Sequence, residues 1–184
     1  MPGTRSLPLL RRATAADLPA LHRLIDASVR ELSRDVYTAA EIESGLRYVF
    51  GPDTRLIADG TYFVFDDQGT LAAAGGWSRR DTLYGGDQHK RGDDPLLDPA
   101  VQPARIRAFF VDPRFARRGL GRALLAHCTD EAARHGFTAL ELMATLPGEP
   151  LYLAMGFAAI ERIAPRLPDG VELRMVRMTR PIRG

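Results

Sequence analysis

The chain has 184 residues, 45% hydrophobic and 26% charged, with a formal net charge of +2. At about 150 residues per domain this is a single domain, residues 1–184, long enough to bury a core, and the composition excludes a disordered or fibrous protein. One cysteine, Cys128, excludes an intrachain disulfide and a cysteine metal cluster and fits a reducing, cytoplasmic setting. No apolar run nears the roughly 18 residues of a membrane span, and the N-terminal MPGTRSLPLLRRAT has no signal-peptide core before Arg11 and Arg12.

Leu9 to Ala13 predicts a short first strand. Thr14-Ala-Ala-Asp17 has capping-box spacing, with Asp in place of Glu. Leu18, Leu21, Leu24, Ile25, Val29 and Leu32 follow at helical spacing. Pro19 fits if Asp17 caps the helix, because proline is tolerated in a first turn. A second helix starts at Thr38, with Glu41 three residues on and Ile42, Leu46 and Val49 as its apolar stripe. Thr61 to Phe65, the turn signal Asp66-Asp67-Gln68-Gly69 and Leu71 to Trp77 predict a hairpin. Residues 79–104 lose periodicity and hold three glycines, three prolines and five aspartates. Such a loop is usually functional or disordered, and a lid is the functional reading.

Arg105 to Val111 predicts the next strand, stopped at Asp112-Pro113. Gly119 to His135 is the strongest helix, with Leu120, Leu124, Leu125, Cys128 and Ala132 on one face and Gly136 at its end. Phe137 to Met143 predicts a strand and Pro150 to Met155 a short helix. Phe157 to Ile163 and Val171 to Met178 predict two strands joined by a turn around Pro168-Asp169-Gly170. Strands alternate with helices in the middle and hairpins lie at both ends, which is an α/β (α+β) fold on a mixed sheet.

Arg105 to Leu125 carries the chemistry. Arg105, Arg107, Arg114, Arg117, Arg118 and Arg122 face one acid, Asp112, inside a near-neutral chain. That local charge points to a discrete anionic ligand rather than to nucleic acid. A strand leads through a turn into Arg117-Arg118-Gly119-Leu120-Gly121-Arg122 and then into the helix. The first N–H groups of a helix have no internal partner and sit at the positive end of its dipole. Gly119 and Gly121 let a ligand approach the backbone, and the three arginines add forked donors. Together these are a pyrophosphate site. A Walker loop is excluded because the only lysine is Lys90. A dinucleotide loop is excluded because Leu124 stands where its third glycine belongs.

This stretch resembles the acetyl-CoA-binding motif of the GNAT (Gcn5-related N-acetyltransferase) superfamily: a strand ending in Val-x-Pro, then Arg/Gln-x-x-Gly-x-Gly/Ala opening a helix. Val111-Asp112-Pro113 and Ala116-Arg117-Arg118-Gly119-Leu120-Gly121 occupy those places. Ala116 departs from the usual Arg or Gln and removes one side-chain donor. Leu151-Tyr152-Leu153-Ala154-Met155-Gly156-Phe157 resembles the second signature, aromatic-Tyr-x-x-x-Gly-Phe. The link Met143 to Pro150 lacks the Asn and Ala that are common there.

The resemblance implies a mixed, mostly antiparallel seven-stranded sheet with helices on both faces, and transfer of an acetyl group from acetyl-CoA to a primary amine by direct attack. It implies that Arg117, Arg118, Gly119, Leu120, Gly121 and Arg122 hold the pyrophosphate. Phe109, Phe110 and Val111 lie along a splayed strand that pairs with pantetheine and polarises the thioester carbonyl. Tyr152 protonates the departing thiolate. The acceptor is a small-molecule or polypeptide amine, and dimers are common in the family. No nucleic-acid, membrane or metal partner is expected.

An alkyl ammonium must lose a proton before attack. Glu141, Glu31 and Asp35 are the candidate bases, none supported by spacing, so the base is unassigned. Cys128 lies on the apolar stripe and reads as core. Gly75-Gly76-Trp77 is either substrate wall or packed strand. Two alternatives to a small-molecule enzyme are a non-catalytic acyl-CoA sensor and a protein-directed acetyltransferase or toxin.

Overall fold

A computed structural model describes residues 8–182. The leader reading of the N-terminal stretch rests partly on residues 1–7, which lie outside them. Seven strands form one sheet: β1 (Leu9–Arg12), β2 (Tyr62–Asp67), β3 (Thr70–Ser78), β4 (Ala104–Val111), β5 (Ala139–Thr145), β6 (Ala158–Ile163) and β7 (Met175–Pro181). Their order across the sheet is β1-β2-β3-β4-β5-β7-β6. Every neighbouring pair is antiparallel except β4 and β5. The helices are α1 (Leu18–Leu32), α2 (Ala39–Tyr48), α3 (Thr54–Ala58), α4 (Leu120–Arg134) and α5 (Glu149–Ala154).

Period-two alternation divides the sheet between two helical layers. Phe63 and Phe65 of β2 pack in one cluster with Leu124, Leu125 and Cys128 of α4. Tyr62 and Val64, their neighbours in sequence, pack in another with Leu21 and Leu24 of α1. Helices therefore cover both faces, as expected. No helix among the described residues is long and apolar enough to cross a membrane.

The local signals at the helix starts do what their spacing predicts. The Thr14 N–H donates to the Asp17 carboxylate at 2.7 Å across a single 3-10 turn (Ala15–Asp17), and Asp17 is also the N-cap of α1, with Pro19 in its first turn. Thr38 caps α2 by accepting from the Glu41 N–H at 3.2 Å, while Glu41 accepts from the Thr38 N–H at 2.8 Å. Both acids also hold arginines that tie the termini of the helices to other parts of the fold, Arg11 in β1 and Arg174 in the loop before β7. Arg11 of β1 bridges Asp17 and Asp66, and Arg174 bridges back to Glu41.

These pairs give the fold an acid-sensitive component. The Arg11 guanidinium holds Asp17 down to about 2, and the Arg174 guanidinium holds Glu41 down to about 2. A carboxylate depressed in the folded state contributes stability above its ordinary value, and loses that contribution as pH falls through the folded value. Urea stability should therefore drop between about pH 4.5 and pH 2. Asp17→Asn combined with Glu41→Gln should flatten that drop. An unchanged slope in the double variant would remove the assignment.

Three elements differ from the sequence reading. Helix α3 was not anticipated; it is five residues long and depends on Asp53, whose carboxylate accepts from the Arg55 and Leu56 N–H groups. Strand β5 begins at Ala139 rather than Phe137. Strand β7 runs from Met175 rather than Val171, because Arg166 and Glu172 form an isolated bridge that extends the turn and Leu173 is buried just before the strand. The long loop is neither free nor structureless. It pairs with itself at Arg80 and Leu96. Arg107 on β4 donates into it at the carbonyls of Thr82 (2.9 Å) and Gly85 (2.6 Å).

Candidate active site

Strand β4 pairs with β5 only through Ala104–Leu140 and Arg105–Glu141. Beyond these two steps β4 continues to Val111 and β5 to Thr145 without pairing to each other, while β5 stays bonded to β7 along its whole length. A wedge thus opens in the middle of the sheet, bounded by the backbone of Phe109, Phe110 and Val111. Unpaired strand backbone of this kind accepts an extended ligand as an added strand.

A bulge turns β4 at the start of the wedge. Ala74 faces Phe110 and Gly76 faces Arg107, so β4 spends one residue more than β3 across this step, with Ala108 at φ +53. The bulge sends Phe109 across Gly75, where a Cβ would stand 2.7 Å from the Phe109 ring. Gly75 is therefore a packing requirement and Trp77 is fully buried, which settles Gly75-Gly76-Trp77 as packed strand rather than substrate wall. Phe109 then packs toward Tyr152, and Phe110 toward Phe50 on the opposite face.

The chain leaves β4 through Asp112, a 3-10 turn (Pro113–Phe115) and a loop that places α4 at the open end of the wedge. Arg117 (φ +60) and Gly119 (φ +81) both take left-handed backbone, and Gly119 is the N-cap. No side chain caps α4. The first bond to the Gly119 carbonyl comes from Ala123, at 2.9 Å, so the donors of the first turn stay open to an anion. Gly121 lies in that turn, where a Cβ would come 3.1 Å from Leu151 Cδ2 and 4.0 Å from Val111 Cγ2.

The six arginines separate into two sets. Arg105 and Arg107 are buried in the sheet face, and Arg114 is paired with Asp112 at 2.7 Å. Arg117, Arg118 and Arg122 are exposed around the start of α4. Arg118 lies over the Phe115 ring at 5.1 Å, and Arg122 lies 3.0 Å from Met155 Sδ. These three can meet a diphosphate; the others hold structure.

Tyr152 of α5 is 7% exposed, with its ring edge-on to Phe109 (6.4 Å) and to Phe157 (5.7 Å). The phenol thus sits beside the bulge of β4. Burial pushes its pKa well above the ordinary value, so the hydroxyl stays protonated. Cys128 is fully buried and its thiol is likewise pushed up, which keeps it out of the chemistry.

The candidate bases fare differently. Glu141 is buried between Arg105 (3.1 Å) and Arg177 (2.5 Å), which commits both its oxygens to guanidinium groups. Glu31 and Asp35 are exposed. Tyr37 closes this side by donating to the Arg174 carbonyl (2.6 Å) and accepting from the Leu146 N–H (3.0 Å), which joins the α1–α2 loop, the segment just after β5 and the loop before β7. Among the described residues no group of three His, Cys, Asp or Glu side chains could hold a metal ion.

One polar residue of the site escaped the sequence reading. Ser28 of α1 is 6% exposed, and its Oγ accepts from the Val111 N–H at 3.3 Å. Its signal was a hydroxyl on the apolar stripe, beside Ile25 and Val29 at the position where another aliphatic residue is expected.

The whole molecule has close counterparts among solved structures. A GCN5-related N-acetyltransferase from Rhodopseudomonas palustris superposes with a TM-score of 0.68 at 18% identity, covering 97% of this chain and 98% of that one. The PaiA N-acetyltransferase of Thermoplasma acidophilum, determined with coenzyme A, gives 0.65 at 14% identity over 96% and 99%. The acetyl-CoA complex of YncA, a putative acetyltransferase from Salmonella typhimurium, gives 0.60 at 18% identity over 95% and 94%. No curated protein matches the sequence. The sequence model for the acetyltransferase (GNAT) family matches residues 27–157, which span the wedge, the uncapped start of α4 and Tyr152, and the chain therefore belongs to the GNAT acetyltransferases.

Proposed function

We propose that the protein moves an acetyl group from acetyl-CoA to a primary amine by direct attack. The observation that carries this is the divergence of β4 from β5 beside the open first turn of α4. Diphosphate rests on the N–H groups of Gly119 to Arg122 with Arg117, Arg118 and Arg122 around it. Pantetheine lies along Phe109, Phe110 and Val111, and a backbone N–H of this segment polarises the thioester carbonyl. The amine nitrogen bonds to the thioester carbon, the C–S bond breaks, and Tyr152 gives its proton to the departing sulfur. The phenolate left behind is a strong base and recovers the extra proton from the nitrogen of the newly formed amide, which leaves neutral amide and CoA thiol. CoA and acetyl-CoA in the complexes of the relatives support this choice of donor.

With Glu141 held by two arginines, the ammonium loses its first proton to water rather than to that carboxylate. Tyr152→Phe should lower kcat about 100-fold while leaving acetyl-CoA affinity within about twofold. Thiol release across a panel of polyamine, aminoglycoside, amino-acid and peptide amines, with calorimetry alongside, checks both halves. Equal loss of binding and turnover would make Tyr152 a packing residue. Binding without thiol release from any amine would favour the acyl-CoA sensor.

A further inference from the structure

The Ser28 hydroxyl stands at the wedge and has no part in the reaction above. Alternation along β4 explains where it points. The Asp112 N–H bonds to the Ala72 carbonyl of β3 at 2.9 Å. The N–H of Val111, one residue earlier, therefore faces away from β3, toward the side that β5 has left. Nothing in the sheet can satisfy it. Val111 is half-buried, an N–H shut off from other partners is costly to leave unpaired, and here α1 supplies one: Ser28 Oγ, 3.3 Å away. That separation exceeds the usual value of about 2.9 Å, so the partner is a weak one. Ser28 is nearly fully buried among Leu24, Ile25 and Val29, which fixes its hydroxyl at this place.

We propose that Ser28 is a positioning residue that stands in for acetyl-CoA in the unliganded protein. Its oxygen accepts from the Val111 N–H until a carbonyl of the pantetheine arm or thioester displaces it. The inference rests on the placement of acetyl-CoA along Phe109 to Val111. It adds that the donor of Val111 is already pointed into the wedge before ligand arrives, and that part of the binding energy goes into releasing Ser28. An exchange of one hydrogen bond for another gains little, whereas a bond formed by an idle donor gains its full worth.

The test is calorimetric titration of acetyl-CoA into wild type, Ser28→Ala and Ser28→Thr. Ser28→Ala has nothing to displace and should bind about fivefold more tightly, while Ser28→Thr keeps the hydroxyl and should match wild type. Unchanged or weaker binding by Ser28→Ala would overturn the proposal. Amide hydrogen exchange at Val111 in unliganded wild type gives a second reading that needs no variant. Slow exchange there is required, and fast exchange would overturn the proposal even if Ser28→Ala loosened α1. No acetyl-CoA binding by wild type removes the cofactor placement and this inference with it; wild-type binding with an unaltered Ser28→Ala constant removes the inference alone.

Discussion

Gly121→Glu is expected to abolish acetyl-CoA binding. The residue lies in the first turn of α4, where a Cβ already meets Leu151 Cδ2 at 3.1 Å. A glutamate must therefore extend away from α5, toward the loop where diphosphate would rest. A carboxylate about 4 Å from one phosphate charge costs about 4 kcal/mol at an effective dielectric near 20, or about three decades in affinity. Gly121→Ala separates bulk from charge. It asks Leu151 to yield by a few tenths of an ångström and gains up to about 1 kcal/mol of helix propensity, so its affinity should fall less than about tenfold. Calorimetry with acetyl-CoA, with ATP and NAD as controls, checks both. A Glu variant that binds as wild type does would remove the diphosphate from residues 119–122.

The missing donor at Ala116 bears on the same measurement. If acetyl-CoA rests there as proposed, its departure from Arg or Gln would leave the backbone of Gly119 to Arg122 to do more of the work. Arg117 and Arg118 are close by and exposed. An affinity that falls steeply with salt would be the sign that these side chains, rather than the N–H groups alone, hold the anion.

What could be read from the sequence was local. The stripe of α4, its glycine-marked start, the capping box before α2 and the hairpin of β2 and β3 depend on neighbours within a few positions, and they stand where spacing puts them. The wedge itself could not be read this way. It requires β4 and β5 to part after two pairs, which is decided by the bulge at Ala108 and by β7 holding β5 on its far side. No glycine marks that bulge, so its left-handed backbone leaves no trace in the sequence. The arginine cluster was half legible. Arg105 and Arg107 share a strand face with each other and not with the loop, a period-two fact. Their burial depends on Glu141 and Asp53, 36 and 54 residues away along the chain. The residues of 79–103 looked irregular because their partners are remote.

Asp53 is the residue on which that remote order turns. It is fully buried and carries three loads. It caps α3 through the N–H groups of Arg55 and Leu56, it pairs with Arg107 Nη2 at 2.9 Å, and it receives Lys90, the chain's only lysine. Burial, with a smaller push from Arg105, depresses the Arg107 pKa, and the Asp53 charge opposes that effect. Asp53→Ala would leave Arg107 charged in a dry site with carbonyls as its only partners. Breaking a buried pair from one side costs about 3–5 kcal/mol, a large part of the 5–15 kcal/mol that holds a typical domain. Urea unfolding should show that loss, and amide exchange should show residues 79–103 opening with it. Asp53→Asn keeps an acceptor for the α3 cap but not the charge, so it divides the effect. If Asn is nearly as damaging as Ala, the pair with Arg107 carries the stability; if Asn is close to wild type, the cap does. A loss below about 1 kcal/mol in Asp53→Ala would mean that Arg107 finds another partner, and that the long loop is held by Arg80 and Asp59 instead.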